Sequence, residues 1–407
     1  MARLLENIGK SILRDNGIVT PDFKIAKNQE EAVVAADELG YPVVIKALVA
    51  VGKRGKAGAV KFARNSDEVR KIAKEILSMT VHNFPVELLL IERKVEISRE
   101  LYVSITFDPL KMMPVVILTC EGGVEVEGIA KLEPEKVKKY HVNIREGLHL
   151  YKAKEMWSDL GLTGKSLMAA AGILHKAYLI FEKYDATIIE INPLAVGPQG
   201  EVVPVAILMG IDDDALFRQP VLSKKVIEGS DRAWRPLTAL EKEMIAVDKA
   251  ESYRGTARYT EMEGGNIGFL CGGGGGSLLM YDALSRFGSR PANYTEFGGN
   301  PTEDKVSGLV KGVLSKPGVK GFCMVTNITN NTQTDVVARG IIKAFTDLNV
   351  DRANFPIIVR LAGVNDVKAS KLFSEAGIEY HGDDITMEDA ARLMVDKMKK
   401  AYPEEES

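Results

Sequence analysis

The run Val51-Gly-Lys-Arg-Gly-Lys-Ala-Gly58 sets Lys53, Arg54 and Lys56 among three glycines. Glycines let backbone amides approach an anion closely, and the cations neutralise it, which suits a phosphate. The run does not match GxxxxGK[ST], and a strand rather than a helix is expected after it. It is therefore neither a P-loop nor a dinucleotide fingerprint. A basic surface hairpin is the other reading. Lys46 ends the apolar run just upstream and favours the phosphate; a lysine there otherwise snorkels to water. Glu190 and Asn192 stand two apart in Ala186-Thr-Ile-Ile-Glu-Ile-Asn-Pro193, so a strand puts both on one face. A carboxylate and an amide oxygen are hard ligands that suit Mg2+; the alternative is an alternating, half-exposed strand. Five glycines follow Cys271 and precede Ser277, where free amides at a helix start would hold a carboxylate or phosphate, or where the glycines merely allow packing. Thr326–Asp335 carries eight uncharged polar residues in ten. Such a loop offers donors and acceptors to a polyhydroxy or polycarboxylate ligand, or it is a solvated loop capping the next helix. None of His82, His141, His149, His175 and His381 lies in a nucleophile motif or at metal spacing, so all five read as structural.

Those residues need elements to position them. The spacing predicts helices at 1–17, 29–39 (capped by Asn28, closed by Gly40), 66–78, 152–159 and 164–183. Strands are predicted at 41–46, 59–63, 87–92, 100–107, 113–119, 186–193 and 202–208. The stretch 209–262 is charged, without a strong strand, and holds a helix near 238–250. From Gly265 strands at 266–271, 293–297, 319–325, 356–361 and 378–380 alternate with helices at 277–287, 302–315, 335–348, 366–376 and 386–401. That alternation implies a parallel sheet with helices on both faces and a ligand site beyond the carboxyl ends of the strands.

The chain has 407 residues, which favours two domains. The net charge of −3 gives no electrostatic case for nucleic acid, and no apolar run is long enough to span a membrane. Three dispersed cysteines without CxxC spacing argue against disulfides or zinc and fit a reducing cytoplasm.

Taken together and in order, four motifs resemble the β subunit of succinyl-CoA synthetase and its relatives. They are the glycine loop at 52–58, Glu121-Gly-Gly-Val-Glu-Val126, Glu190-Ile-Asn-Pro-Leu194 and Leu216-Phe-Arg-Gln-Pro220. The resemblance spans nearly the whole chain. It implies an α/β protein with an N-terminal ATP-grasp domain and a flavodoxin-like, doubly wound CoA-ligase domain. The expected boundaries are 1–225, an interdomain linker at 226–262 with a helix, and 263–407. Gly272–Asp282 and Ala292–Glu303 look more like ATP-citrate lyase, and citryl-CoA synthetase is similarly close.

The resemblance implies that Lys46, Lys53, Arg54 and Gly55 contact ATP phosphates, and that Glu92, Val95 and Glu100 line the adenosine pocket. Asn192 would ligate Mg2+, and Glu190 would stand near a visiting phosphohistidine. Gly274, Gly299, Asn330, Thr332 and Arg360 would hold citrate. CoA would be a substrate, held mainly on an α-like partner that carries the phosphohistidine and, in a lyase, a citrate-synthase-like domain; the assembly would be a hetero-oligomer. This sequence departs from the pattern twice. Ala206 stands where the family has a second metal-binding Asp, so Asp212, Asp213 or Asp214 would have to substitute, or metal binding weakens. Arg360-Leu361 replaces an Arg-Arg pair. Succinate or malate as the acid, and a non-catalytic ATP-grasp scaffold, are the alternatives.

Overall fold

The computed structural model describes residues 2–52, 54–122, 126, 128, 132–226 and 235–403. The chain divides into two units, Met1–Pro236 and Leu237–Ser407.

In the first unit, two sheets carry the fold. A four-stranded antiparallel sheet has the order Phe23–Ala26, Leu89–Arg93, Val43–Ala47, Val60–Ala63. Helices Gln29–Leu39 and Ser66–Leu77 cover one face with Ala32, Ala35, Ala36, Val69, Ala73 and Ile76, packing on Val43, Ile45, Leu89 and Ile91. Asn28 and Asn65 cap these helices by accepting the amides of Glu31 and Glu68, and the first ends at Gly40 with φ +79°. Because side chains alternate, Val44, Lys46 and Glu92 point to the other face. A larger, seven-stranded sheet is built around Arg99–Asp108 and Ala186–Val196, which pair antiparallel. Its core face meets helices Leu150–Ser158 and Gly164–Lys183, with Trp157, Leu174, Tyr178, Ile189 and Ile191 buried. Each such fully buried aliphatic side chain contributes roughly 1.5–3 kcal/mol.

The N-terminus departs from expectation. Ala2–Leu4 is a strand pairing with Ile207–Ile211, and the helix runs only from Glu6 to Asp15. The apolar residues Ala2 and Leu4 alternate into the core, and the sheet edge supplies their backbone partners. Val202–Leu208 splits into Val202–Pro204 and Ile207–Ile211, because Pro204 ends the first pairing.

The second unit is a six-stranded sheet in the order Ala257–Glu261, Asn293–Phe297, Ile267–Gly272, Gly321–Gln333, Ile357–Val364, Tyr380–His381. The first strand is antiparallel and the rest are parallel. The parallel strands run 2-1-3-4-5 in chain order, which is the flavodoxin-like winding. Its switch point lies between Ile267–Gly272 and Gly321–Gln333. Helices Glu303–Ser315, Thr334–Asp347 and Asp366–Glu375 cover one face, and Gly274–Arg286 and Met387–Ala401 cover the other. The strand Ala257–Glu261 was not expected, since only Ala257 and Tyr259 alternate into the core. Helix Ala239–Ala250 and this strand fall within the stretch 226–262, yet they pack on each other and on Glu303–Ser315. All three cysteines are free, and burial, with Glu296 nearby, pushes the Cys271 thiol up to about 12.

Lys305 fastens that helix. It is buried, and its Nζ donates to Asp248 Oδ1 at 3.2 Å and to the carbonyls of Glu251 and Arg254 at 2.7 Å each. Lys305→Met should cost roughly 3 kcal/mol, because two carbonyls and a carboxylate lose their donor. Lys311→Met, which removes an exposed pair with Asp347, should cost under about 1 kcal/mol. Calorimetry of the full chain checks this; equal effects of the two variants would contradict it.

Candidate functional site

The first unit buries an ion cluster between its two sheets. Lys46 leaves the four-stranded sheet on the side away from its helices, diagonally across from Glu92. Helix Glu6–Asp15 brings Glu6 and Lys10, four residues apart and so on one helix face, against them. Lys46 Nζ lies 3.1 Å from Glu6 Oε1 and 2.5 Å from Glu92 Oε2, and donates to Val205 O at 2.9 Å. Lys10 Nζ donates to Glu92 and, at 2.7 Å, to the same Val205 carbonyl. Arg54, from the glycine loop, donates to Ala47 O at 3.0 Å and pairs with the second oxygen of Glu6. Burial works to protonate Glu6, but Arg54, Lys46 and Lys10 outweigh it and hold the carboxyl far below the usual carboxylate range. Burial likewise opposes the charge on Lys46, and Glu6 with Glu92 more than offsets it, so Lys46 stays above its ordinary value. For Lys10 burial, reinforced by Lys46, wins and pulls the value down. Among the described residues, three cations against two carboxylates leave one positive charge in this buried cluster.

The start of the glycine loop approaches the larger sheet. A Cβ added at Gly52 would stand 3.7 Å from Leu208, and Leu208 is the cross-strand partner of Glu190. Within the loop Gly58 N donates to Gly55 O at 3.1 Å and Ala59 N to Arg54 O at 3.0 Å. Lys53 lies outside the described residues. Glu190 and Asn192 do share one half-buried face, beside Ser104 and Leu208. Ala206 O accepts the Asn192 amide at 3.2 Å, so the alanine stands directly beside the expected metal ligand. Asp212, Asp213 and Asp214 do not substitute for it. They follow Ile211, which pairs with Ala186 at the other end of the strand, and Asp212 N donates to Asp185 O. Six residues of strand put them about 20 Å away. Among the described residues no cluster of three or more His, Cys, Asp or Glu side chains could hold a metal. A carboxylate and an amide remain. They fit an Mg2+ that arrives with phosphate oxygens, since that ion commonly takes only one or two protein ligands.

Val95 lies in the connection from Leu89–Arg93 to Arg99–Asp108, and Glu100 begins the second of these strands; both are half-buried. Glu100 O accepts Gly122 N at 2.8 Å, so close that a Cβ at Gly122 would sit 2.6 Å from Leu101 O. This explains the first glycine of the Glu121-Gly-Gly motif; residues 123–125 lie outside the described residues. Glu92, expected near adenosine, directs its carboxylate into the lysine cluster.

In the second unit the expected acid-site residues gather at the carboxyl ends of the parallel strands. Thr326–Gln333 is not a loop. It extends the third parallel strand and pairs with Ile357–Val364, with register shifts at 325/328 and 329/333. Gly363, at φ +138°, permits this, because a Cβ there would meet Thr329 O at 2.1 Å. Thr332 is buried, and its Oγ1 accepts the Asn300 amide at 2.9 Å. A Cβ at Gly299 would stand 2.9 Å from Asn331 Nδ2, so Gly299, Asn300, Asn331 and Thr332 form one group. Asn330 is exposed. Gly274 opens the glycine-run helix, and Asn327 Nδ2 stands 3.4 Å from where Gly276 would carry a Cβ. Arg360 is buried on that same face, donating to Thr326 O and to Ile385 O at 3.2 Å; burial lowers its pKa against Asp383 and Asp384. Leu361 points the other way, into the core beneath helices Glu303–Ser315 and Thr334–Asp347.

Sequence reading missed Glu6 and Lys10, whose signal was a charged pair on the apolar face of the first helix. It also missed Glu296. Glu296 Oε2 lies 2.8 Å from both Ser277 Oγ and Tyr294 Oη, under the start of the glycine-run helix. Each histidine is engaged elsewhere or at a turn: His141 with Asp108, His175 with Leu148 O, His149 stacked on Tyr151, His381 with Glu379 and Asp384, and His82 at φ +48°.

Comparison with known proteins matches these two halves. Residues 3–196 match the family model described as ATP-grasp domain, and residues 235–397 match ATP citrate lyase citrate-binding. The β subunit of ADP-forming succinate–CoA ligase from Ignicoccus hospitalis is 36% identical over 98% of this chain and 99% of the relative. That from Persephonella marina is 35% identical over 97% and 99%. The solved ATP citrate lyase from Methanothrix soehngenii, in complex with citrate and coenzyme A, shares the fold. Its TM-score is 0.78 at 19% identity, covering 97% of this chain and 99% of that one. The chain belongs to the succinate–CoA ligase β-subunit family.

Proposed function

We propose that this chain is the nucleotide- and acid-binding subunit of an ATP-dependent acid–CoA ligase that uses citrate. The observation that carries the citrate reading is the match of residues 235–397 to the citrate-binding model, with Asn330 and Thr332 at the switch-point rim. In this reading Lys46, Lys53, Arg54 and Gly55 bind the ATP phosphates, and Val95 and Glu100 line the adenosine side. Glu92 acts from beneath, by holding Lys46. Mg2+ would be held by Asn192 with Glu190 beside it, and would neutralise phosphate oxygens. Gly274, Gly299, Asn330, Thr332 and Arg360 form the acid site. The exposed amide of Asn330 is the group free to reach a carboxylate, while Thr332 holds the Asn300 loop in place.

The chemistry proceeds in three displacements. ATP gives its γ-phosphoryl group to a histidine and leaves as ADP; the phosphohistidine gives it to a carboxylate of the acid; the CoA thiolate displaces phosphate and forms the thioester. The relatives are β subunits, and none of this chain's histidines lies in a glycine-rich turn, so in this reading the carrier histidine belongs to an α-like partner and the working enzyme is a hetero-oligomer. CoA would sit mainly on that partner. Cleavage of citryl-CoA to acetyl-CoA and oxaloacetate would also be the partner's work. A second reading takes succinate as the acid. The succinate–CoA ligase relatives, which match over nearly the whole chain, favour it.

The test uses the complex with its α-like partner, Mg-ATP and CoA, offering citrate, succinate or malate in turn while ADP release is followed. Citrate-dependent turnover is expected. Turnover with succinate alone would keep the ligase and overturn the citrate assignment. Asn330→Ala should raise the KM for the acid by roughly tenfold, the effect of one hydrogen bond to a charged group. The KM for ATP should not change. A parallel rise in both KM values would make Asn330 structural.

A further inference from the structure

Lys46 donates to Glu6 and to Val205 O, and its Nζ stands 2.5 Å from Glu92 Oε2. A phosphate oxygen approaching Lys46 competes with these neighbours. Glu92 at 2.5 Å and Val205 O at 2.9 Å also anchor Lys10, while Glu6 is the most distant of the three at 3.1 Å. Glu6 is also the carboxylate that pairs with Arg54, and so competes with a phosphate for that guanidinium. One anion on the first helix therefore holds both cations that the nucleotide needs. A second cation waits on the same helix: Lys10 Nζ is 3.6 Å from Glu6 Oε1, one helical turn away.

We infer that Glu6 is a displaceable counter-anion that stands in for a nucleotide phosphate between Lys46 and Arg54, and that it retires to Lys10 when the nucleotide enters. The inference rests on the phosphate-binding reading of Lys46 and Arg54. It makes Glu6 and Lys10 positioning residues rather than catalytic ones. Glu6 pairs with two buried cations and tethers the glycine loop to the first helix. A bound phosphate would take over both cations, and the carboxylate would still keep Lys10 as its partner.

The consequence separates this role from a purely structural one. Glu6→Gln removes the competitor, so the full chain should bind Mg-ADP more tightly, by roughly fivefold or more, the scale of one charged hydrogen bond. Its melting temperature without nucleotide should fall, because two cations lose their partner. Lys10→Met should weaken Mg-ADP binding, since the displaced carboxylate then has no cation. Titration calorimetry and thermal melts of the full chain read both effects. Glu6→Asp, which keeps the charge but is too short to bridge both cations, serves if Glu6→Gln does not fold; it too should tighten binding. Weaker or unchanged Mg-ADP binding in the Glu6 variants overturns the inference. Lys46→Met decides what else falls. If it abolishes binding while the Glu6 variants fail to tighten it, only the stand-in role is lost. If Lys46→Met binds Mg-ADP as wild type does, the phosphate reading fails and the inference falls with it.

Discussion

Charges taken out of water cost several kcal/mol each unless they are paired and hydrogen-bonded. Lys10, Lys46, Arg54, Glu6 and Glu92 meet that condition only as a group. The two sheets of the first unit, its first helix and its glycine loop each contribute a member or a carbonyl. Remove the helix and Lys46 loses Glu6; remove the linking segment at Val205 and both lysines lose an acceptor. The described members of this cluster carry one more positive charge than negative. A site with net positive charge has a physical reason to accept an anion, and Lys46 and Arg54 come from the strand and loop whose spacing suits a phosphate.

The second unit solves a different problem. Its polar segment from Thr326 to Gln333 is held as strand rather than as a loop, which keeps its donors and acceptors in fixed places. Continuing the strand with two register shifts fixes them. Gly363 gives room for Thr329, Thr332 clamps Asn300, and Arg360 ties Thr326 O to the loop at Ile385. The glycine-run helix begins beside this rim, with Glu296 beneath it held by Ser277 and Tyr294.

Much of this was legible from residue order. Alternation of apolar runs and capping residues such as Asn28 placed most of the longer helices within a few residues, and the β/α alternation after Gly265 implied the doubly wound sheet. The glycine loop, Lys46 and the Glu190–Asn192 pair stood out because their spacing forces them onto a loop and a single face. What was not legible depended on tertiary partners. Ala2–Leu4 is a strand only because a sheet edge receives it. Glu6 and Lys10 look like ordinary surface charges until a second sheet covers them. Asp212, Asp213 and Asp214 seemed near enough in sequence to replace the missing metal ligand, but strand direction carries them to the wrong end.

The most direct measurement of the central claim, that the buried ion cluster is the nucleotide-phosphate site, is a crystal structure of the full chain with Mg-ADP. The account predicts phosphate oxygens on Lys46 and Arg54, with the ion on Asn192. Nucleotide bound elsewhere, with Lys46 and Arg54 still held by Glu6, would contradict it.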